Sequence, residues 1–350
     1  MKNKKGISLL AIIIIALAIT LGISAYYFQS QSQNQPQKYA GAEKIVFGVE
    51  TSLLTAPVWI AENKGYFQEQ GLDVEIKEFD SGRAALAAML KEGNPENLDM
   101  VTAAQTPVMF NSFARDDYAI ISAMVTSIND LKVIARKDKG IQHPSHLKGK
   151  KIGITKGSTG HYFLYLFLDY YGLKFSDVEA VDMKAGELAQ AIVDGRVDAI
   201  STWEPHISKA RKQLGENALV TDIRYLFRED FYFISYKNFI AKNPIALERF
   251  LKAIDKAEEF IKENRAESIG IVSERLKLDK KAADSLWDDY NYRLVLDQSI
   301  VKTLQEEAKW AIENKLVNAT QIPDYSNYIF PDALEKVKPK ASTLTVSGEK

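Results

Sequence analysis

The chain of 350 residues is 46% hydrophobic and carries 45 Lys and Arg against 46 Asp and Glu, for a net charge of −1. It is long and apolar enough to bury a sizeable core, and it lacks the bulk basicity that nucleic-acid binding uses. It has no cysteine, which excludes disulfides, thiolate metal sites, cysteine nucleophiles and a lipid-modified cysteine anchor.

Lys2, Lys4 and Lys5 precede an uncharged run from Ile7 to Phe28. About 20 apolar residues span a bilayer. Residues 1–28 are therefore expected to form a signal or transmembrane anchor segment, with the lysines cytoplasmic and everything after Gln29 exported, to the periplasm or another extracytoplasmic face. Ile23-Ser24-Ala25 is an imperfect small-residue cleavage site, whereas the length of the run and the aromatics Tyr26, Tyr27 and Phe28 at its end favour an uncleaved helix. Residues 29–43, which include QSQSQNQPQK, are a polar tether too poor in apolar side chains to pack. About 310 residues follow, more than one core usually holds, so two lobes are expected.

Lys44–Glu50 predicts a strand that runs through Thr51–Ala56 into Pro57, which suits the first turn of a helix over 57–64 because its missing N–H is not needed there. Leu72–Phe79 alternates as a half-buried strand, and Asp80-Ser81-Gly82-Arg83 caps a helix over 84–91. Leu98–Ala103 is a short strand, and Gln105-Thr106-Pro107 opens a third helix with Thr106 as the cap. Lys150–Gly172 reads as a strand, a glycine-rich loop and a buried helix; Gly195–Thr202 is a further strand, and Trp203-Glu204-Pro205 opens the next helix. Five strands thus feed helix N-termini, which predicts an α/β fold with a parallel sheet and helices on its faces. In such sheets ligands bind where strand carboxyl ends meet helix starts. From Pro244 onward the spacing predicts helices over 244–263, 265–276, 280–290 and 299–314, with solvated charged faces.

The loop Gly157–His161 has the form of an anion cradle. The first N–H groups of a helix have no intrahelical partner and the macrodipole places positive charge there, while Ser158 or Thr159 can cap and Lys156 adds charge. A tight turn made by Gly157 and Gly160 is the structural alternative.

Six blocks carry a family resemblance: Ala56–Glu75, Leu147–Ile154, Gly157–His161, Val197–Pro205, Leu296–Ile300 and Pro323–Tyr328. In this order they resemble the nitrate, sulfonate and taurine family of solute-binding proteins that serve ABC importers, over about Lys44 to Pro339. The resemblance implies a type II periplasmic-binding fold: two α/β lobes on a hinge of two crossover strands, expected at Leu131–Arg136 and Phe231–Tyr236, closing on a small anionic or zwitterionic solute. Lobe one is then 44–131 with 237–339, lobe two 132–236, and 340–350 a disordered tail. A monomer, an ABC permease partner and no cofactor are implied, with no enzyme activity. The alternatives are a binder of a pyrimidine precursor of thiamine or a membrane-tethered ligand sensor. Enzymatic relatives of the fold that make that pyrimidine carry a cysteine-rich motif absent here.

The expected ligand contacts are Ser158, Thr159, Gly160 and His161 from lobe two, with Gln105, Thr106 and Thr55 from lobe one. Arg83, in Ser81–Arg83, is a candidate bidentate clamp for an oxyanion. Trp203 is expected to stack on the ligand and Glu204 to take an ammonium, which would disfavour bare nitrate. His143 and His146 have no carboxylate or cysteine at metal spacing, so no metal site is expected.

Overall fold

The computed structural model describes residues 42–344. The expected N-terminal helix and tether, up to residue 41, lie outside the described residues. Among the described residues no helix is long and apolar enough to cross a membrane.

Eleven strands form two sheets among the described residues. The first contains β1 (Glu43–Glu50), β2 (Leu72–Phe79), β3 (Met100–Ala104), β4 (Tyr118–Ser127), β10 (Glu229–Tyr236) and β11 (Tyr290–Val295), in the order β11-β4-β10-β3-β1-β2. The second contains β5 (Lys132–Arg136), β6 (Lys151–Ile154), β7 (Glu179–Asp182), β8 (Ala199–Thr202) and β9 (Ala218–Thr221), in the order β7-β6-β8-β5-β9.

The expected parallel pairing holds only where helices connect the strands. β1 runs parallel to β2 and β3, and β6 parallel to β7 and β8. β10 is antiparallel to both β3 and β4, β11 is antiparallel to β4, and β5 is antiparallel to β8 and β9. The strands that return after passing between sheets bring the reversed direction.

Burial follows the periodicity of each element. In β5, Val133 and Ala135 pack into a cluster with Ile152, Leu164 and Phe167, while Ile134 joins Leu188, Ile192 and Ile200 on the opposite side. Successive strand side chains point to opposite faces, so one pentapeptide serves two cores. In the first half, the helix Pro244–Glu263 seats Phe250 edge-on to Phe47 at 5.2 Å and to Phe233 at 5.0 Å, and stacked on Phe67 at 5.3 Å. Truncating such a side chain typically costs about 3–5 kcal/mol.

Several elements differ from expectation. Leu131–Arg136 is not a crossover but contributes β5 to the second sheet, and Phe231–Tyr236 lies inside β10 of the first. The chain passes between sheets at 128–131 and 222–228. Asp289 serves both passages: its carboxylate accepts the Asn129 amide at 2.8 Å and pairs with Arg224 at 3.2 Å. The helix expected over 280–290 ends at Leu286, and Tyr290 begins β11. The strand expected from Gly195 begins at Ala199, and the following helix begins at His206. Within the expected disordered tail, Ala341 accepts from the Leu296 N–H and Thr343 donates to the Leu296 carbonyl, both at 2.8 Å. Three further strand-to-helix junctions join the five expected ones: β7 into Ala185–Val193, β10 into Lys237–Lys242 and β11 into Gln298–Glu313.

Candidate functional site

The carboxyl ends of β1 and β3 and the amino end of the antiparallel β10 meet at one edge of the first sheet. The end of β8 and the start of the helix Thr159–Tyr170 face them from the second. Between them lies a cavity of about 10 Å³, lined by Glu50, Ser81, Gly82, Arg83, Glu229 and Phe231 from the first half, and by Ser158, Thr159 and Trp203 from the second. That is about the room of one water molecule.

Four of the expected ligand residues line this cavity: Ser158, Thr159, Trp203 and Arg83. Ser158 does not cap through its side chain; its hydroxyl donates to the Thr155 carbonyl at 2.7 Å, fixing the loop ahead of the helix. Arg83 is exposed at the rim, where it reaches across to the second half: a Cβ placed on Gly157 would lie 3.3 Å from its Nε.

The other six expected residues serve the frame around the cavity. The Thr55 hydroxyl is fully buried and donates to the Glu50 and Ser52 carbonyls. Gln105 is fully buried too: its amide donates to the Arg228 carbonyl at 2.9 Å and accepts from the Asp230 N–H at 3.0 Å, holding the start of β10. Thr106 lies within the helix Gln105–Ser112 instead of capping it, beside the buried Glu307. Gly160 allows the helix to rest on β8, since a Cβ there would fall 2.9 Å from the Ser201 carbonyl oxygen. His161 turns away, onto Trp310 at 5.2 Å and Phe175 at 5.4 Å, and burial, with Lys156 nearby, lowers its pKa to about 4. Glu204 is buried beside Trp203 and accepts the Ser208 N–H at 3.0 Å.

The residues that the sequence reading missed are acidic. Glu50, at the end of β1, is 3% exposed; its Oε2 accepts the Gly82 N–H at 2.6 Å and its Oε1 has no hydrogen-bond partner. Gly82 is required for that contact, because a Cβ there would come within 2.7 Å of the Ala103 Cα. Glu229, at the start of β10, is 4% exposed, with the Asp130 carboxyl and the Thr159 hydroxyl as its side-chain partners. Asp130, on the first passage between sheets, is 2% exposed; it accepts the Tyr290 hydroxyl on Oδ1 and pairs with Glu229 through a shared proton.

Burial pushes the Glu50 carboxyl up to about 8, with the charge of Asp130 adding to it and the Gly82 N–H opposing it. Glu229 rises well above the usual carboxylate range, through burial and then the charges of Asp130 and Glu50. Neighbouring carboxyls in a low-dielectric site cannot all ionise, so this group holds protons. Glu204 is raised by burial, with Lys132 opposing. Lys132 is the buried cation among these groups, and its ammonium donates to the Asn129 carbonyl. The rule that ligand residues gather at strand ends points to Glu50; no local signal shows its burial.

The family model described as NMT1/THI5 like matches residues 54–268, more than half of the chain. A Bacillus subtilis (strain 168) protein with the provisional name of aliphatic sulfonates-binding protein is 30% identical over 282 residues, covering 79% of this chain and 83% of that relative. The taurine-binding periplasmic protein of Escherichia coli (strain K12) is 26% identical over 231 residues, 63% of this chain and 68% of that protein. Among solved structures, the alkanesulfonate-binding protein SsuA from Xanthomonas axonopodis pv. citri bound to MOPS superposes with a TM-score of 0.73 over 84% of this chain and 100% of that one, at 18% identity. The two-sheet arrangement is thus the mixed α/β fold of periplasmic binding proteins.

Proposed function

This chain belongs to the NMT1/THI5-like family, and from that premise we propose that it is an extracytoplasmic solute-binding protein that captures a small polar solute between its two sheet-bearing halves and delivers it to an ABC importer. The observation that carries this reading is the shared cavity: both halves supply walls, and it has room for about one water. A solute of several heavy atoms enters only when the halves part, and the passages at 128–131 and 222–228 are where the chain allows that. Closure around the solute then presents a distinct surface to a permease.

Names of relatives guide the choice of solute. One is a taurine-binding protein and another is named for aliphatic sulfonates, so an anionic or zwitterionic solute of this size is the starting class. The helix start at Thr159 offers its N–H to an anionic end, while the Ser158 N–H is given to the Thr155 carbonyl at 3.1 Å. Attachment to a membrane through residues 7–28 completes the proposal and keeps the receptor near its importer.

The test is calorimetric titration of ligand-stripped protein with small solutes, paired with small-angle X-ray scattering. Saturable binding of one solute per chain with a fall in radius of gyration supports the reading. Folded protein that binds no small solute overturns it.

A further inference from the structure

We infer that the captured solute carries a protonated nitrogen, an ammonium or amidinium, that seats between Glu50 and Glu229 as the hydrogen-bond donor to both. The inference rests on the solute-binding reading above and deepens it. Both carboxyls line the same cavity and both are more than nine-tenths buried; Glu50 has an oxygen without a partner, and Glu229 shares a proton with Asp130. A buried acceptor left unpaired costs about 1–3 kcal/mol, more when charged, so a fold that holds one at the wall of its cleft, beside a carboxyl pair that a cation can deprotonate, has kept them for a donor.

The charge balance points the same way. Glu50 and Glu229 line the cleft, the buried Asp130 stands beside them and Glu204 beside Asp130, with Lys132 as the buried cation next to the last two. Arg83, the other cation at the cavity, is exposed at the rim. A bare anion such as nitrate or a simple alkanesulfonate would press these carboxyls to keep their protons, and it brings no donor to the unpartnered Glu50 oxygen. A cation supplies what is missing, in a wall that also holds the buried Trp203. A zwitterion fits both ends: nitrogen at Glu50 and Glu229, anion at the helix start of Ser158 and Thr159.

Proton exchange distinguishes this seat from one in which protonated carboxyls donate to an anion. Around Glu50 stand Asp130, Trp203, Ser52 and the Gly82 N–H; around Glu229 stand Asp130, Glu50 and Thr159. With these neighbours Glu50 holds its proton to about pH 8. A cation seated against it brings its pKa down and releases about one proton per solute at pH 7. An anion accepted by the protonated carboxyl releases none.

The experiment titrates the full chain calorimetrically at pH 7 in buffers of different ionisation enthalpy, with taurine against ethanesulfonate and benzamidine against nitrate. Expected are binding confined to the nitrogen-bearing probes, proton release, and a loss of about 30-fold or more in affinity in Glu50→Gln or Glu229→Gln. Ethanesulfonate or nitrate binding as tightly as the nitrogen-bearing probes, or binding without proton release, overturns the cationic seat and leaves the solute-binding reading standing. No binding by any probe to folded protein overturns both. Proton release is read on the unaltered protein, so the test holds even where a variant is unstable.

Discussion

The Tyr162 ring lies 4.8 Å from the indole of Trp310, tilted by 59°, so the second half's cleft helix rests on a helix of the first. His161 and Tyr165 meet the same indole at 5.2 and 5.8 Å. Three side chains of one helix thus converge on Trp310 of the other, and Tyr162 also meets Phe227 of the second passage at 5.5 Å. This contact exists only while the halves are together. Trp310→Ala should therefore favour the open form: a larger radius of gyration in solution than wild type, and weaker solute binding. An unchanged radius would show that the closed form does not depend on it. Aromatic pairs are worth about 0.5–1.5 kcal/mol beyond their burial, so the shift should be readable.

Gly160 separates ligand contact from packing. A Cβ at this position would press on the Ser201 carbonyl at 2.9 Å, a backbone atom that cannot swing aside. Gly160→Val should destabilise the second half by about 1–3 kcal/mol, read in urea. Wild-type stability in this variant would mean that helix and strand can separate without cost.

Stability against pH reports on Glu50 in the ligand-free protein. Its folded pKa of about 8 lies above an ordinary 4.5, so the folded chain holds a proton that the unfolded chain gives up. That contribution is fully present below pH 4.5 and is lost as pH rises through 8. In between, Glu50 adds a slope of about −1.4 kcal/mol per pH unit. Glu50→Gln should remove it, making denaturation midpoints flatter between pH 5 and 7.5; equal slopes would contradict a buried, protonated Glu50. His161 acts oppositely: lowered to about 4 from 6.5, its contribution is present above pH 6.5 and lost as pH falls through 4.

Gln105 bridges two backbone groups at the start of β10. Gln105→Ala strands the Arg228 carbonyl and the Asp230 N–H in a buried setting and should cost about 2–4 kcal/mol. Because Glu229 lies between those two residues, the same variant should also weaken solute binding. Chemical denaturation and titration on one preparation check both; a loss of less than about 0.5 kcal/mol would mean that water replaces the amide.

Local chemistry made many elements legible. Pro57 enters the first turn of its helix, and Ser81 caps by accepting the Ala84 N–H at 3.2 Å. The helices 244–263 and 265–276 end where their apolar spacing ends. β11 was hidden because Lys280–Leu286 begins a helical pattern that the following aromatics prolong, yet Tyr290, Tyr292 and Leu294 alternate in burial with Asn291 and Arg293. The acidic wall was hidden for a different reason. Glu50 and Glu229 end and begin their strands, positions where charge ordinarily meets solvent, and their burial comes from the approach of segments distant in the chain. Gly160 and Gln105 have the location that the sequence implies and a different role, since each stands close to the cavity and holds its wall in shape.

β10 sits between β3 and β4, although it follows every strand of the second sheet in the chain. As the polypeptide is made, the half that begins second is the first to possess all its pairing strands, by residue 221. The half that begins first waits with a slot in its middle, bordered by two strands that are almost wholly buried in the finished fold, until residue 236 arrives. That slot is an open template for any extended chain nearby. The long interval before β10 arrives makes the unfinished first half the species for which a holding chaperone, or a slow-folding precursor, has most value.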